Sequence, residues 1–304
     1  MSTVGGGHPG AAGPATRTGT GPGAGAGAGP VLRLRGVSVV RGGQPLLDGV
    51  DWEVAPGARW VLLGPNGSGK TTLLQVAGAR LLPSGGTAEV LGEQLGRVDM
   101  RALRARVAMV SGALVRQLRP SLSAREVVVT GRDGSLDPHW RAVPAGDWAA
   151  ADRMLARLGL SGEDGHGGSG SSAGRWGRLG ERQFGVLSEG ERQQVLIARA
   201  LMGPAELVLL DEPAAGLDLG ARERLVSRLG ELAADRAVPA LVLVTHHVEE
   251  IPPGFTHAAL LRQGRMVAAG PLGSVLVDEP VSACFGARVH VGRRNGRWWA
   301  QART

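Results

Sequence analysis

Across residues 31–54 apolar and polar side chains alternate, with Leu32, Leu34, Val37 and Val39 in the pattern and Gly42-Gly43 as its break. A period of two around a tight glycine turn predicts a pair of antiparallel strands. Trp60-Val61-Leu62-Leu63 is instead a continuous apolar run, which predicts a strand buried on both faces. Thr71-Thr72-Leu73-Leu74-Gln75-Val76, a few residues on, predicts the first turns of a helix. Pro83-Ser84-Gly85-Gly86 predicts a turn into a short strand at 87–91, and 106–111 is a further candidate strand. Leu207-Val208-Leu209-Leu210 and Leu241-Val242-Leu243-Val244 are runs of the buried parallel type.

From about 113 to 186 the pattern turns mostly helical. Ser123 with Glu126 forms a capping box ahead of Val127-Val128-Val129, and 147–160 shows helical spacing at Trp148, Met154, Leu155 and Leu158. Residues 161–174 are rich in Gly and Ser and read as a flexible insertion. Near the end, Gln263-Gly264 and Asn295-Gly296 each sit between short apolar runs and signal hairpins, the second between Val289 and Trp298-Trp299. Strands alternating with helices predict an α/β core with a largely parallel sheet. An N-terminal antiparallel β subdomain precedes that core, and a helical subdomain is inserted into it.

The chain has 304 residues, room for one large domain or two small ones. Residues 1–30 hold almost nothing apolar beyond Ala and are expected to be a disordered tail. They lack the basic and apolar regions of a secretory signal, and no run approaches the roughly 20 apolar residues of a membrane span. A soluble chain is expected, or one that meets a membrane only through a partner. The single cysteine, Cys284, excludes an intramolecular disulfide and suits a reducing cytoplasm. Lys and Arg total 34 against 27 Asp and Glu, a net charge of +7. Arginines cluster at 101, 104 and 106, at 116 and 119, and at 293, 294 and 297. Those clusters read either as a nucleic-acid surface or as a general preference for Arg on solvated faces. The few aromatics do not interleave with them as a base-stacking platform would.

The chemistry concentrates at Gly64-Pro65-Asn66-Gly67-Ser68-Gly69-Lys70-Thr71-Thr72, which fits G-x-x-x-x-G-K-[ST] between the predicted strand and helix. Glycines let the backbone N–H groups turn inward into an anion nest at a helix N-terminus. Lys70 would reach the β- and γ-phosphates, and the Thr71 hydroxyl would take one Mg²⁺ position. Asp211-Glu212 then closes the run 207–210, at the strand end where open parallel sheets bind ligands. Asp211 suits Mg²⁺, and Glu212 could orient and deprotonate a water aimed at the γ-phosphate. Leu187-Ser188-Glu189-Gly190-Glu191 opens a helix, with Ser188 and Glu191 as a second capping box.

In this order, with Gly216-Leu217-Asp218 and Val244-Thr245-His246, these segments resemble the ATP-binding-cassette (ABC) ATPases over about residues 31–270. The resemblance implies a P-loop NTPase core of ABC type that hydrolyses MgATP as a head-to-tail homodimer or ABC-type heterodimer. Residues 187–191 become the signature, with Ser188 and Gly190 meeting the γ-phosphate held by the partner. Asp218 links the two sites, and His246 is the switch histidine; His247 stays a surface residue. The nucleotide-binding domain would span 31–275, followed by a hairpin-bearing extension at 276–304. Two positions depart from the family. Arg41 stands where an aromatic usually stacks on adenine, and either stacks through its guanidinium or faces solvent. Gly112, after Ser111, takes the place of a glutamine that usually touches Mg²⁺.

With Thr-His-His-Val-Glu-Glu-Ile-Pro-Pro-Gly-Phe-Thr-His at 245–257, the chain is similar to lone-cassette ATPases grouped with iron-complex or molybdate uptake. An ATPase subunit docked on separate membrane permease subunits, at the inner face of the plasma membrane, is the leading expectation. A soluble cassette ATPase acting on a ribosome or nucleic acid is the alternative. A small-molecule kinase is disfavoured by the helix at 188.

Overall fold

The first alternating stretch forms β1 (Leu32–Arg41) and β2 (Gln44–Val54), paired antiparallel. Their turn residues Gly42 and Gly43 both have positive φ, 55° and 75°, as a two-residue hairpin requires. The computed structural model describes residues 1–2, 29–140, 142–160 and 179–303. Most of the expected tail and the insertion expected at 161–174 lie outside the described residues. β3 (Arg59–Leu63), buried at every residue, leads through the phosphate loop into α1 (Lys70–Ala77). β4 (Gly85–Val90) and β5 (Glu93–Gln94) complete a first sheet in the order β2-β1-β4-β5. Gly85 and Gly86, expected in a turn, belong to β4. A Cβ on Gly86 would stand 2.3 Å from the Gly36 carbonyl, so β4 closes on the irregular part of β1 only without one.

α2 (Met100–Ala105), β6 (Val107–Val110) and α3 (Gly112–Val115) lead into α4 (Ala124–Val129), α5 (Ala145–Arg157) and α6 (Glu189–Met202). Both capping boxes form: Ser123 and Glu126 close the start of α4, Ser188 and Glu191 that of α6. β7 (Leu207–Asp211), α7 (Leu219–Ala234) and β8 (Ala240–Thr245) follow. β9 (His257–Arg262) and β10 (Arg265–Pro271) turn at Gln263-Gly264. The chain then passes through α8 (Leu272–Val275) and α9 (Asp278–Phe285) to the hairpin β11 (Val289–Arg294) and β12 (Arg297–Ala302).

The second sheet runs β10-β9-β3-β8-β7-β6, parallel throughout except for β10 at its edge. Its strands read as unbroken apolar runs because both faces are covered. Val61, Leu63, Val208, Leu210, Leu241 and Leu243 pack against α4–α7 on one face. Trp60, Leu62, Leu207, Leu209, Val242 and Val244 pack with α1 and the first sheet on the other. Arg59 is 4% exposed at the start of β3 and donates to the carbonyls of Gly57, Ala233, Asp235, Val238 and Pro239 at 2.8–3.2 Å. That one guanidinium joins β3 to the end of α7 and the entry to β8. The last elements share the main core: Val281 and Cys284 of α9 and Val291 of β11 are buried with Val61 and Leu63. Burial pushes the Cys284 thiol up to about 11, so it is a packed apolar group.

Candidate nucleotide-binding site

β3, β8 and β7 are consecutive parallel neighbours, so their carboxyl ends bring together three loops distant in sequence. β3 delivers the phosphate loop, β7 delivers Asp211-Glu212, and β8 delivers Thr245-His246. Within the loop, Gly67 and Gly69 sit at φ 77° and 102°. A Cβ on Gly64 would lie 2.1 Å from the Leu261 carbonyl, and one on Gly69 would lie 2.7 Å from the Leu46 carbonyl. The loop is thus pressed between β9 and the first sheet. The Gly264 N–H donates to the Ser68 carbonyl at 2.9 Å, and the Asp48 N–H donates to the Gly264 carbonyl, also at 2.9 Å. The β9–β10 turn therefore pins the loop from outside.

Lys70 is buried, and its Nζ donates to the Gly64 and Pro65 carbonyls at 2.8 and 3.0 Å. It lies 3.7 Å from Glu212 Oε1. Burial lowers its pKa, while Glu212 and then Asp211 pull it back up. Asp211 is shifted the other way: burial raises its pKa first, the Glu212 charge raises it further, and the Thr71 hydroxyl and Lys70 oppose the rise. Its buried Oδ1 has no hydrogen-bond partner.

Glu212 adopts φ 48°, a left-handed conformation that costs a side chain of this kind strain. Its N–H donates to the Val244 carbonyl at 3.0 Å, which holds the turn against β8. His246 Nδ1 lies 3.3 Å from Glu212 Oε1, close enough for a charge contact yet outside hydrogen-bond geometry. The buried Glu250 carboxylate accepts from the Thr245 hydroxyl, whose oxygen accepts the His247 N–H at 3.0 Å. His247 itself is exposed.

A cavity of about 680 Å³ opens over this arrangement, lined by residues 66–72, Asp211 and Glu212. Pro45, Leu46, Gln263 and Gly264 complete it. The sequence signalled Gln263-Gly264 only as a turn, and nothing local marked Pro45 or Leu46. Gly64 and Pro65 lie beneath the lining as acceptors for Lys70. Arg41 is exposed and outside the lining. Leu187, Ser188, Glu189, Gly190 and Glu191 are also outside it. Ser188 is exposed at the N-cap of α6, with Leu187 buried behind it. Asp218 caps α7, accepting the Ala221 N–H at 2.7 Å. A Cβ on Gly190 would lie 3.2 Å from Ala221 Cβ, so the starts of α6 and α7 lie side by side. Gly112 opens α3, where an added Cβ would meet nothing within 4 Å; no feature of the fold demands glycine there.

A strand–loop–helix phosphate cradle facing a carboxylate pair on a neighbouring parallel strand defines a phosphate-loop nucleoside triphosphatase. Residues 47–215 match the family model described as ABC transporter. The chain is 36% identical over 263 residues to YlmA of Bacillus subtilis (strain 168), an uncharacterised ABC transporter ATP-binding protein, covering 86% of this chain and 93% of that one. It is 32% identical over 265 residues to the hemin import ATP-binding protein HmuV of Rhodococcus jostii (strain RHA1), covering 86% and 81%. Among solved structures, its fold resembles a chain of an inward-facing ABC transporter described as of metal-chelate type, with a TM-score of 0.67 at 22% identity over 90% of this chain and 96% of that one. It also resembles a dimeric ATP-binding cassette bound to ADP and phosphate, with a TM-score of 0.63 at 22% identity over 79% and 98%. The chain belongs to the ABC transporter family and is an ATP-binding, ATP-hydrolysing subunit of that family.

Proposed function

We propose that the chain hydrolyses MgATP as one half of a head-to-tail dimer and drives import through separate permease subunits. One observation carries the dimer. The signature residues Ser188 and Gly190 stand at the exposed start of α6, outside the cavity lined by the loop and Glu212. A second copy facing the first would bring that helix N-terminus, with its free N–H groups, onto the γ-phosphate.

In this reading Lys70 exchanges the Gly64 and Pro65 carbonyls for phosphate oxygens. Asp211 and the Thr71 hydroxyl would hold Mg²⁺, a hard cation suited to oxygen donors, and the unpartnered Oδ1 of Asp211 fits that task. Bound there, the ion supplies neutralisation of the phosphate charge. Glu212 accepts the proton of the attacking water, and His246 contacts the γ-phosphate and orients that water. Asp218 couples the two sites of the dimer. Positioning and charge account for most of the rate, as phosphoryl transfer to water requires.

The cargo proposed is a metal chelate. Support comes from the names of relatives: the hemin import protein above, and a cobalamin import ATP-binding protein of Halobacterium salinarum, 33% identical over 264 residues. Among the described residues no helix is long and apolar enough to cross a membrane, so attachment to the inner face of the plasma membrane would run through the permease. The soluble alternative gains no support from the relatives named here. Size measurement of the full chain tests the dimer. Glu212→Gln with ATP should run as a dimer, and adding Ser188→Arg should leave a monomer that still binds ATP. A doubly substituted chain that still dimerises overturns the head-to-tail site.

A further inference from the structure

The C-terminal hairpin packs behind the site, against α7 and the turn that follows His246-His247. Arg297, the first residue of β12, donates through Nη1 to Glu223 Oε2 at 2.7 Å and through Nη2 to the Glu249 carbonyl. Three positions along β12, the Ala300 N–H reaches Glu249 Oε1 at 3.3 Å. Glu223 lies on α7, the helix that Asp218 caps, and Glu249 lies in the 3₁₀ turn Val248–Glu250 directly after His246-His247. One guanidinium thus bridges the helix carrying the dimer-linking aspartate and the turn carrying the switch histidine.

The hairpin is a firm anchor for that bridge. Asp278 of α9 accepts the Val291 N–H at 2.8 Å and pairs with His290 at 2.9 Å. Ser282 accepts the Val289 N–H at 2.9 Å, and Val291 is buried in the main core. On its inner side the same turn is held by Glu250 against the Thr245 hydroxyl. Residues 246–250 are therefore clamped between an internal carboxylate–hydroxyl contact and an external guanidinium.

We propose that Arg297 is a positioning residue for ATP hydrolysis: it holds the His246 turn against α7 so that the imidazole stays beside Glu212. The inference rests on the role given above to His246. Arg297 lies outside the cavity lining, so it acts through the geometry of the turn. A displacement of the turn by an ångström is enough to change turnover while leaving the phosphate loop and its affinity untouched.

The experiment is a double-substitution cycle on the full chain, reading kcat, KM for ATP, nucleotide affinity and thermal melting. Arg297→Ala should lower kcat about tenfold with KM and affinity unchanged. Arg297→Lys, which can still reach one of the two partners, should recover part of that loss. In a His246→Ala background, Arg297→Ala should produce no further loss. An Arg297→Ala chain with full kcat overturns the inference, as does one whose loss persists undiminished in the His246→Ala background. An Arg297→Ala chain that melts early and loses nucleotide affinity, with no recovery in Arg297→Lys, assigns the bridge to stability alone and also overturns it. A His246→Ala chain with full kcat is a different failure, because it removes the switch role and the inference with it.

Discussion

His246 Nδ1 lies 3.3 Å from Glu212 Oε1, although the two residues end different strands and stand 34 positions apart. Lys70 Nζ faces the same carboxylate oxygen at 3.7 Å, so the Glu212 carboxylate sits between two nitrogen groups. Arrival of phosphate would draw both away and free the carboxylate to act on water. Glu212→Gln should therefore keep ATP affinity and lose turnover by about 10²-fold or more, as expected for a lost general base. Phosphate release measured beside nucleotide binding checks this; a normal rate removes Glu212 from the proton-transfer role.

Lys70→Ala removes the only buried cation among the residues lining the cavity and two hydrogen bonds to carbonyls. Charge-assisted bonds to phosphate are worth roughly 1.5–3 kcal/mol each, so ATP affinity should fall by about 10²-fold or more. Equilibrium titration with a fluorescent nucleotide reads the loss. Affinity within a few-fold of the parent chain would show that the loop backbone alone carries binding.

Asp211 gives a pH signature. Its folded pKa is raised by burial and by Glu212, so the nucleotide-free chain holds this proton at a pH where the unfolded chain has released it. Stability from this group is thus complete below the usual carboxylate range and declines as pH rises through the raised folded value. Asp211→Asn should raise the melting temperature of the nucleotide-free chain at neutral pH, with the gain vanishing in acid. The same chain should hydrolyse ATP poorly. A melting difference independent of pH would show that desolvation of this carboxylate is not what the substitution relieves.

Arg59→Met should preserve the outline of the site and weaken the whole domain. The guanidinium serves five carbonyls drawn from the turn before β3, the end of α7 and the approach to β8. At about 1 kcal/mol net for each lost bond, the cost is roughly 3–5 kcal/mol. Urea unfolding measures it, and a loss near zero would mean that water replaces the guanidinium.

Arg41→Ala distinguishes the two readings of that position. Its side chain is exposed and outside the cavity, with Pro45 and Leu46 on the lining instead. ATP affinity should be unchanged by titration; a marked loss would mean that the arginine folds onto the base when nucleotide binds.

Much of the molecule is written in local chemistry. The glycine pattern at 64–69, the capping boxes at Ser123 and Ser188 and the hairpin turns at 263 and 295 each depend on neighbours within a few residues. Short-range backbone geometry dictates them wherever they occur, so they are legible in the chain itself. The order β3-β8-β7 is not of this kind, because it follows from covering both faces of an apolar sheet, with α4–α7 on one side and α1 with the first sheet on the other. Only that packing brings His246 to Glu212, lays Leu46 and Gly264 against the loop and forces Glu212 into its left-handed turn. Only it also sets Arg297, one basic residue among 34, across the joint between α7 and the His246 turn. The sequence by itself determined the pieces of the site, and tertiary burial decided which of them meet.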